Sequence, residues 1–288
     1  MTQVLRYRGA SAVVVDADRA LLGLATSVDH PQGYLRTTLG ATAVVRDALR
    51  STLAVAGAGD DTGDRDAWAT VDDDAVFFEA GAADGQAWLR VQLARRGLGP
   101  AADEARGTTW VWLPADLDPG LRRLRDHRAT TLVLSPAGAA AAIDGTIRNE
   151  RVVERSASTW RSWLALAGAT LTGPGTTTTM TMTTTTVPTL ALAARLRGLD
   201  IDIGALGDVV ERLRPLAPLL RHADHVRVDR DARRRRVRLS AGDIVVDLLL
   251  ADGDVTDEAT RSKDDNGRSF VDAAGRRRVR DLTRPAAD

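Results

Sequence analysis

The sequence predicts an α+β protein of two domains: an N-terminal domain of mixed strands and helices, and a C-terminal domain in which helices precede an antiparallel β-meander. The chain has 288 residues, and domains of about 100–200 residues are the norm. All six tryptophans precede residue 165, so the two parts are expected to bury different kinds of core. Candidate strands and helices do not alternate regularly, which favours α+β over a doubly wound sheet.

A threonine-rich run is the predicted boundary between the domains. Residues 176–186 consist of nine threonines and two methionines. Threonine is β-branched and favours extended backbone, but a strand with so little apolar surface would be poor in the centre of a sheet. We therefore expect an N-terminal domain at 1–169, an extended linker or edge strand at 170–187, and a C-terminal domain at 188–288. A strand paired inside a sheet is the alternative for the run.

The N-terminal domain opens with a predicted hairpin, because turn residues at 16–19 separate two apolar runs at 12–15 and 20–24. Residues 41–56 place four apolar side chains on one face of a helix. Residues 83–96 also look helical, with Gly97 at the position where a glycine would end the helix. Asp118-Pro119 opens a short helix, since it combines a capping residue with a first-turn proline. The remaining predicted elements are strands at 68–80, 108–113 and 130–134 and a helix at 158–166, whose Trp160 and Trp163 are expected to face a core.

The C-terminal domain begins with predicted helices at 190–199, 203–213 and 216–222. Strands at 225–229, 235–240 and 243–250 follow and form the meander. An acidic, polar stretch at 252–266 is predicted to be a loop, and a last hairpin combines 269–272 with 276–281.

Composition excludes several classes of protein. The chain has no cysteine, which removes thiol nucleophiles, disulfides and cysteine-ligated metals and fits a reducing compartment. Basic and acidic residues number 39 each, so no global charge steers the chain toward nucleic acid or an anionic membrane. There is no apolar stretch of signal-peptide type at the N-terminus and no run of ~18 apolar residues. We therefore expect a soluble, cytoplasmic protein that does not engage membranes.

No catalytic, cofactor or metal motif rises above background. The glycine-rich stretch at 57–63 lies among aspartates that would repel phosphate. Ser135 follows a predicted strand, but it lacks the glycine two residues earlier that a nucleophile elbow requires. His222 and His225 lie where a helix is expected to give way to a strand, which favours solvated imidazoles over a shared metal. We expect no catalytic residue, no cofactor and no bound metal.

One cluster is more distinctive, a hairpin that carries six arginines: Arg230, Arg233, Arg234, Arg235, Arg236 and Arg238. Arginine forks bind phosphate and carboxylate groups. The order of helices followed by a basic hairpin at 190–239 resembles a winged helix, in which a basic wing holds DNA phosphates beside a groove-reading helix. The simpler alternative is an edge hairpin whose arginines deter sheet aggregation and pair with nearby aspartates.

Three functions follow from these observations. The first, which we favour, is a non-enzymatic binding protein that engages nucleic acid or a protein partner through the arginine hairpin. The second is a structural or assembly subunit of a larger particle or homo-oligomer, with subunit contacts through the threonine-rich segment. The third is an enzyme whose chemistry leaves no linear motif.

Overall fold

The computed structural model describes residues 2–29, 33–58, 65–139, 149–154, 160, 163, 176–181, 213–230 and 234–251. Within these residues 15 strands form three sheets. The α-helices with described bounds are α1 (Thr42–Ala56) and α2 (Leu117–Leu121), and 3₁₀ helices lie at Arg95–Gly97 and Arg214–Leu216. The predicted helix at 190–199, nearly all of the one at 203–213, the loop at 252–266 and the last hairpin lie outside the described residues.

Eight antiparallel strands form the largest sheet. In order across the sheet they are β12 (Thr176–Thr181), β13 (His225–Arg230), β14 (Arg234–Ala241), β15 (Ile244–Ala251), β7 (Ala87–Ala94), β6 (Ala75–Gly81), β5 (Arg65–Val71) and β9 (Gly107–Leu113). Among the described strands, β12 is therefore the outermost at one edge and β9 at the other. We call this the large sheet.

The other strands form two smaller sheets. A five-stranded sheet has the order β2 (Ala12–Val15), β3 (Arg19–Ala25), β10 (Ala129–Ser135), β4 (Tyr34–Thr38) and β8 (Asp103–Ala105). Its β10 and β3 are parallel, and its other neighbours are antiparallel. The third sheet is the antiparallel pair of β1 (Thr2–Tyr7) and β11 (Asn149–Glu154).

Helix α1 packs on one face of the large sheet, against β5, β6, β7 and β15. Val45, Leu49 and Leu53 recur at helical spacing and are at most 3% exposed. They belong to one buried cluster that also contains Leu22 and Leu134 of the five-stranded sheet. The main core is thus shared by α1 and both larger sheets.

Several local predictions are confirmed. The first hairpin is present as β2 paired with β3, α1 covers nearly all of the predicted helix at 41–56, and α2 contains Asp118-Pro119. Strands β9 and β10 match the predicted strands at 108–113 and 130–134, and β13, β14 and β15 match the meander. The predicted strand at 68–80 is two strands, β5 and β6, because Asp72, Asp73 and Asp74 form a turn between them.

The predicted helix at 83–96 is wrong, because this segment forms β7 and a 3₁₀ helix. Alanine, leucine and arginine favour a helix, yet Leu89, Val91 and Leu93 are at most 2% exposed while Arg90 and Gln92 between them are half-buried. A period of two is the pattern of a strand. Gly85 has a φ of 74° in the turn before β7, outside the right-handed helical region.

The predicted fold class, with a C-terminal domain of helices followed by its own meander, is wrong. The described residues are mainly β, and the meander continues the large sheet because β15 pairs with β7 from Ile244↔Leu93 to Leu250↔Ala87. Residues 216–222, predicted to be a helix, form the end of a 3₁₀ helix and turns. The winged-helix interpretation is wrong for the same reason. A wing flanks a helical bundle, whereas this hairpin lies within a broad sheet.

The two predicted domains also share a core within the described residues. Leu248 and Leu250 of β15 belong to the same buried cluster as Leu89 of β7 and Leu49 of α1. Within the described residues, the two parts therefore do not bury different cores. The bounds at 1–169 and 188–288 stay a prediction, and residues 176–181 of the threonine run form the edge strand β12.

Candidate binding surface

Two of the six predicted arginines are held by a buried carboxylate. Arg236 and Arg238 lie on the outer face of the large sheet, opposite the core side chains Val237 and Leu239. Both donate to Asp247 on the neighbouring strand β15. Nε and Nη2 of Arg238 lie 2.8 and 2.9 Å from Oδ1 and Oδ2 of Asp247, and Nε of Arg236 lies 2.9 Å from Oδ1.

The Asp247 side chain is only 7% exposed. Burial by itself raises the pKa of this carboxyl, but the hydrogen bonds from Arg238 and Arg236 outweigh it and hold the pKa below its ordinary value. Asp247 is therefore ionised at neutral pH. Its charge fixes both guanidinium groups against the sheet and neutralises part of their field.

A second ion pair lies on the same face. Arg90 on β7 is opposite Asp247 in register, and its Nε lies 3.3 Å from Oε1 of Glu79 on β6. Cζ of Arg90 also lies 4.4 Å from the centre of the Phe77 ring, within cation–π distance. Burial raises the pKa of Glu79, and the charge of Arg90 offsets only part of that rise. Arg238, Asp247, Arg90 and Glu79 thus alternate in charge along one row of the sheet.

Beyond Glu79 the row becomes aromatic. Trp68 on β5 and Trp110 on β9 continue it, with ring centroids 4.3 Å apart. Trp160 and Trp163 pack against this pair, and Nε1 of Trp163 donates to the backbone oxygen of Ala82 at 3.0 Å. Trp163 is 4% exposed, so its ring is shielded from solvent within this aromatic cluster.

The other four arginines lie at the tip of the hairpin, which we define as residues 230–235. Strand β13 ends at Arg230 and β14 begins at Arg234, so Arg233 belongs to the connection, which lies outside the described residues. Arg230 pairs in register with Arg235 across the hairpin. Arg235 is half-buried on the core side of the sheet. The tip contains four arginines and one carboxylate, Asp231, a formal net charge of +3.

Asp247 is the partner of the hairpin arginines that the sequence prediction does not include. A signal for it exists: it is the only charged residue in the strand sequence of β15. Gly242, with φ of 57°, makes the turn between β14 and β15, and the register around that turn puts Arg238 opposite Asp247. A single carboxylate in an apolar strand that follows a basic strand is the sequence pattern that indicates ion pairs between the two strands.

His222, considered with His225 as a metal-binding pair, instead contacts a buried carboxylate. Its Nε2 lies 2.9 Å from Oδ2 of Asp47 in α1. The carboxylate of Asp47 also accepts hydrogen bonds from Nε and Nη2 of Arg46, both at 2.8 Å, and from Arg221. Burial raises the pKa of Asp47, but the hydrogen bonds from His222, Arg46 and Arg221 outweigh it and leave the pKa well below its ordinary value. Among the residues that the structure describes, no three potential metal ligands converge.

In the described parts of the chain, no helix combines the length and the apolar character needed to cross a bilayer.

Comparison with known proteins assigns no family. No family model matches the chain, and no curated protein matches it. The chain is similar to the solved structure of Proliferating Cellular Nuclear Antigen from Entamoeba histolytica, with 8% identity, a TM-score of 0.40 and coverage of 76% of this chain and 99% of that chain. It is also similar to A. fulgidus PCNA, solved with the C-terminal region of FEN-1 bound, with 9% identity, a TM-score of 0.45 and the same coverage. Likenesses at this level carry no argument about family or function.

Proposed function

We propose that this chain is a non-enzymatic binding protein that engages nucleic acid through the tip of the β13–β14 hairpin. One observation carries the proposal: the sequence of the tip is strongly basic. Residues 230–235 contain four arginines and one carboxylate, a formal net charge of +3, and they lie next to Arg236 and Arg238, which donate to Asp247.

The large sheet holds the two strands that lead to the tip. Strand β13 is paired on both sides, with β12 and β14, and β14 is paired on both sides as well. The ion pairs to Asp247 bind β14 to β15 immediately behind the tip. Guanidinium forks match phosphate oxygens, so a basic tip at the end of these strands is suited to bind phosphate groups.

The test replaces Arg230, Arg233, Arg234 and Arg235 together by glutamine and measures binding to labelled single- and double-stranded oligonucleotides by fluorescence anisotropy. At about 50 mM salt, the affinity should fall at least ~10-fold for every sequence, because phosphate contacts carry no base information. The slope of log K against log salt should flatten by about one unit for each lost contact.

A matched control removes the same number of charges elsewhere, through Arg8→Gln, Arg19→Gln, Arg96→Gln and Arg106→Gln. These four side chains are exposed and lie outside the hairpin, so binding should stay close to that of the natural chain. The proposal fails if the natural chain binds neither DNA nor RNA at about 50 mM salt, or if the control variant loses as much affinity as the tip variant.

An assembly role is the second candidate, and the position of β12 favours it. This strand is the outermost described strand of the large sheet and consists of threonine and methionine without a charged residue. Uncharged edge strands are prone to pair with another chain. Self-association would appear in light scattering as a mass well above the 30.8 kDa of one chain.

A further inference from the structure

A pocket with a largely apolar lining lies at the N-terminal end of α1. Its volume is about 650 Å³, within the ~300–1,000 Å³ of typical small-molecule sites. Its walls come from residues 40–45 at the start of α1, residues 93–99 at the end of β7, residues 222–224, and residues 241–244 in the turn between β14 and β15. Only the fold brings these segments together. We call this the α1 pocket.

Five large apolar side chains line the α1 pocket. Val45, Leu93 and Ile244 are at most 4% exposed and belong to the main core. Val44 and Leu98 are half-buried and pack against that core. An apolar ligand that displaces water from these side chains gains about 25 cal/mol for each Å² of apolar surface removed from water.

Hydrogen bonds between the segments hold the walls in place. The N–H of Ala94 donates to the backbone oxygen of Asp243 at 2.9 Å, and the N–H of Gly40 donates to that of Gly97 at 3.1 Å. A Cβ at Gly40 would overlap the backbone oxygen of Gly97, and a Cβ at Gly97 would overlap the side chain of Asp243. The walls are therefore closely packed, and a ligand would enter a pocket that is already formed.

Two of the four ionisable side chains in the lining offset each other. Nε of Arg96 donates to the carboxylate of Asp243, across the two turns at the edge of the pocket. A third, His222, is engaged outside the pocket. Its Nε2 lies 2.9 Å from Oδ2 of Asp47 and 3.0 Å from Nε of Arg221, and neither of those two residues belongs to the lining.

The fourth ionisable side chain, Asp224, is the charge that the lining leaves uncompensated. Its Oδ2 accepts from the backbone N–H of Gly242 at 2.7 Å, and among the described residues no basic side chain forms an ion pair with it. With histidine counted as neutral, two carboxylates and one guanidinium group give the lining a formal charge of −1. Asp224 is exposed, so this charge lies where the pocket meets solvent.

We propose that the α1 pocket binds a small organic amine, with its apolar body against Val44, Val45 and Leu98 and its ammonium group on the carboxylate of Asp224. The apolar contacts would supply most of the affinity. The uncompensated carboxylate would favour a cation over a neutral or anionic molecule of the same shape. The pocket and the hairpin tip lie at opposite ends of β14, so the proposal does not depend on nucleic-acid binding by the tip.

The test titrates hexylamine into the full chain and follows the backbone amide signals by two-dimensional NMR. At about 50 mM salt, the Kd should be below ~5 mM, and the amides of Gly97, Gly99 and Gly242, which line the pocket, should shift. Hexan-1-ol and hexanoate carry the same alkyl chain without the positive charge. Hexan-1-ol should bind at least ~3-fold more weakly than hexylamine, as expected for loss of an exposed ion pair, and hexanoate more weakly still.

The variant Asp224→Asn removes the charge and keeps an oxygen that can accept from the N–H of Gly242. Its affinity for hexylamine should fall at least ~3-fold, whereas its affinity for hexan-1-ol should not change. The control variant Asp103→Asn removes a charge at an exposed position in β8, outside the pocket. It should bind both ligands as the natural chain does.

The comparison of the three ligands needs only the natural chain, so it holds even if a variant does not fold. The proposal is overturned if no lining amide shifts up to about 20 mM hexylamine, or if hexan-1-ol binds the natural chain as tightly as hexylamine does. It is also overturned if Asp224→Asn binds hexylamine with unchanged affinity, or if Asp103→Asn loses as much affinity.

Discussion

At the scale of single residues, Asp47 and Asp247 are buried and yet ionised. A carboxylate removed from water stays charged only when several donors replace the lost solvent. At Asp47 the donors come from Arg46 in α1 and from Arg221 and His222 far along the chain. At Asp247 both donors come from the neighbouring strand β14. The contacts of Asp47 link residues 221 and 222 to α1. The contacts of Asp247 fix the register between β14 and β15.

Asp247→Asn should lower the free energy of unfolding by about 2–4 kcal/mol, because it removes the ionised carboxylate that accepts from both Arg236 and Arg238 on a partly buried face. Urea denaturation measures the change. Asp243→Asn is the matched control: the side chains of Asp243 and its partner Arg96 are 39% and 78% exposed, so its cost should stay below about 1 kcal/mol. Equal costs for the two variants would contradict the role given to Asp247.

Asp247→Asn should also change how the free energy of unfolding depends on pH, and the direction of that change follows from linkage. Because folding lowers the pKa of Asp247, its contribution to stability is complete above the unfolded pKa of ~3.9 and is lost as the pH falls through the folded value. The natural chain should therefore lose stability more steeply on acidification than Asp247→Asn. If the stabilities of the two proteins fell in parallel as the pH is lowered, the role given to Asp247 would be contradicted.

At the scale of elements, the end of β6 requires a glycine, because the indole ring of Trp163 packs directly against Gly81. A Cβ at Gly81 would overlap the ring of Trp163, whose Nε1 is held by the backbone oxygen of Ala82 at 3.0 Å. The aromatic cluster therefore packs directly against the backbone of β6. This contact is one reason why the outer face of the large sheet is closed at its tryptophan end.

Gly81→Ala should destabilise the fold by about 1–3 kcal/mol, because a tightly packed contact must open. Thermal unfolding measures the loss, and tryptophan fluorescence should report a changed environment. Trp163→Leu removes the overlapping ring, so adding Gly81→Ala to that variant should cost clearly less than in the natural chain. Strict additivity of the two changes would show that the contact is unimportant.

The elements that the sequence predicted correctly are those with a local signal. The hairpin of β2 and β3 has turn residues between apolar runs, and α1 has apolar side chains at helical spacing. The segment of β7 was misjudged because helix-favouring residues masked the alternation of Leu89, Val91 and Leu93. Of the candidate site, the sequence predicts the basic hairpin but not the contacts of Arg236 and Arg238 with Asp247, because these contacts depend on the register between β14 and β15.

At the scale of the whole molecule, the decisive feature is a pairing between distant segments. Ile244 lies opposite Leu93 and Leu250 opposite Ala87. Nothing local in either strand specifies the other as its partner, because many apolar strands could satisfy the same pattern. Sequence patterns therefore predicted elements well and their assembly poorly.

The arginine hairpin belongs to the same sheet as β5, β6 and β7, and native-state hydrogen exchange of the full chain tests most directly whether this sheet unfolds as one cooperative unit. Amides of β15 and β7 bond to each other and share one core, so their opening free energies should agree within about 1 kcal/mol and follow global unfolding. Opening of β13, β14 and β15 as a separate unit, several kcal/mol below β5, β6 and β7, would contradict the claim.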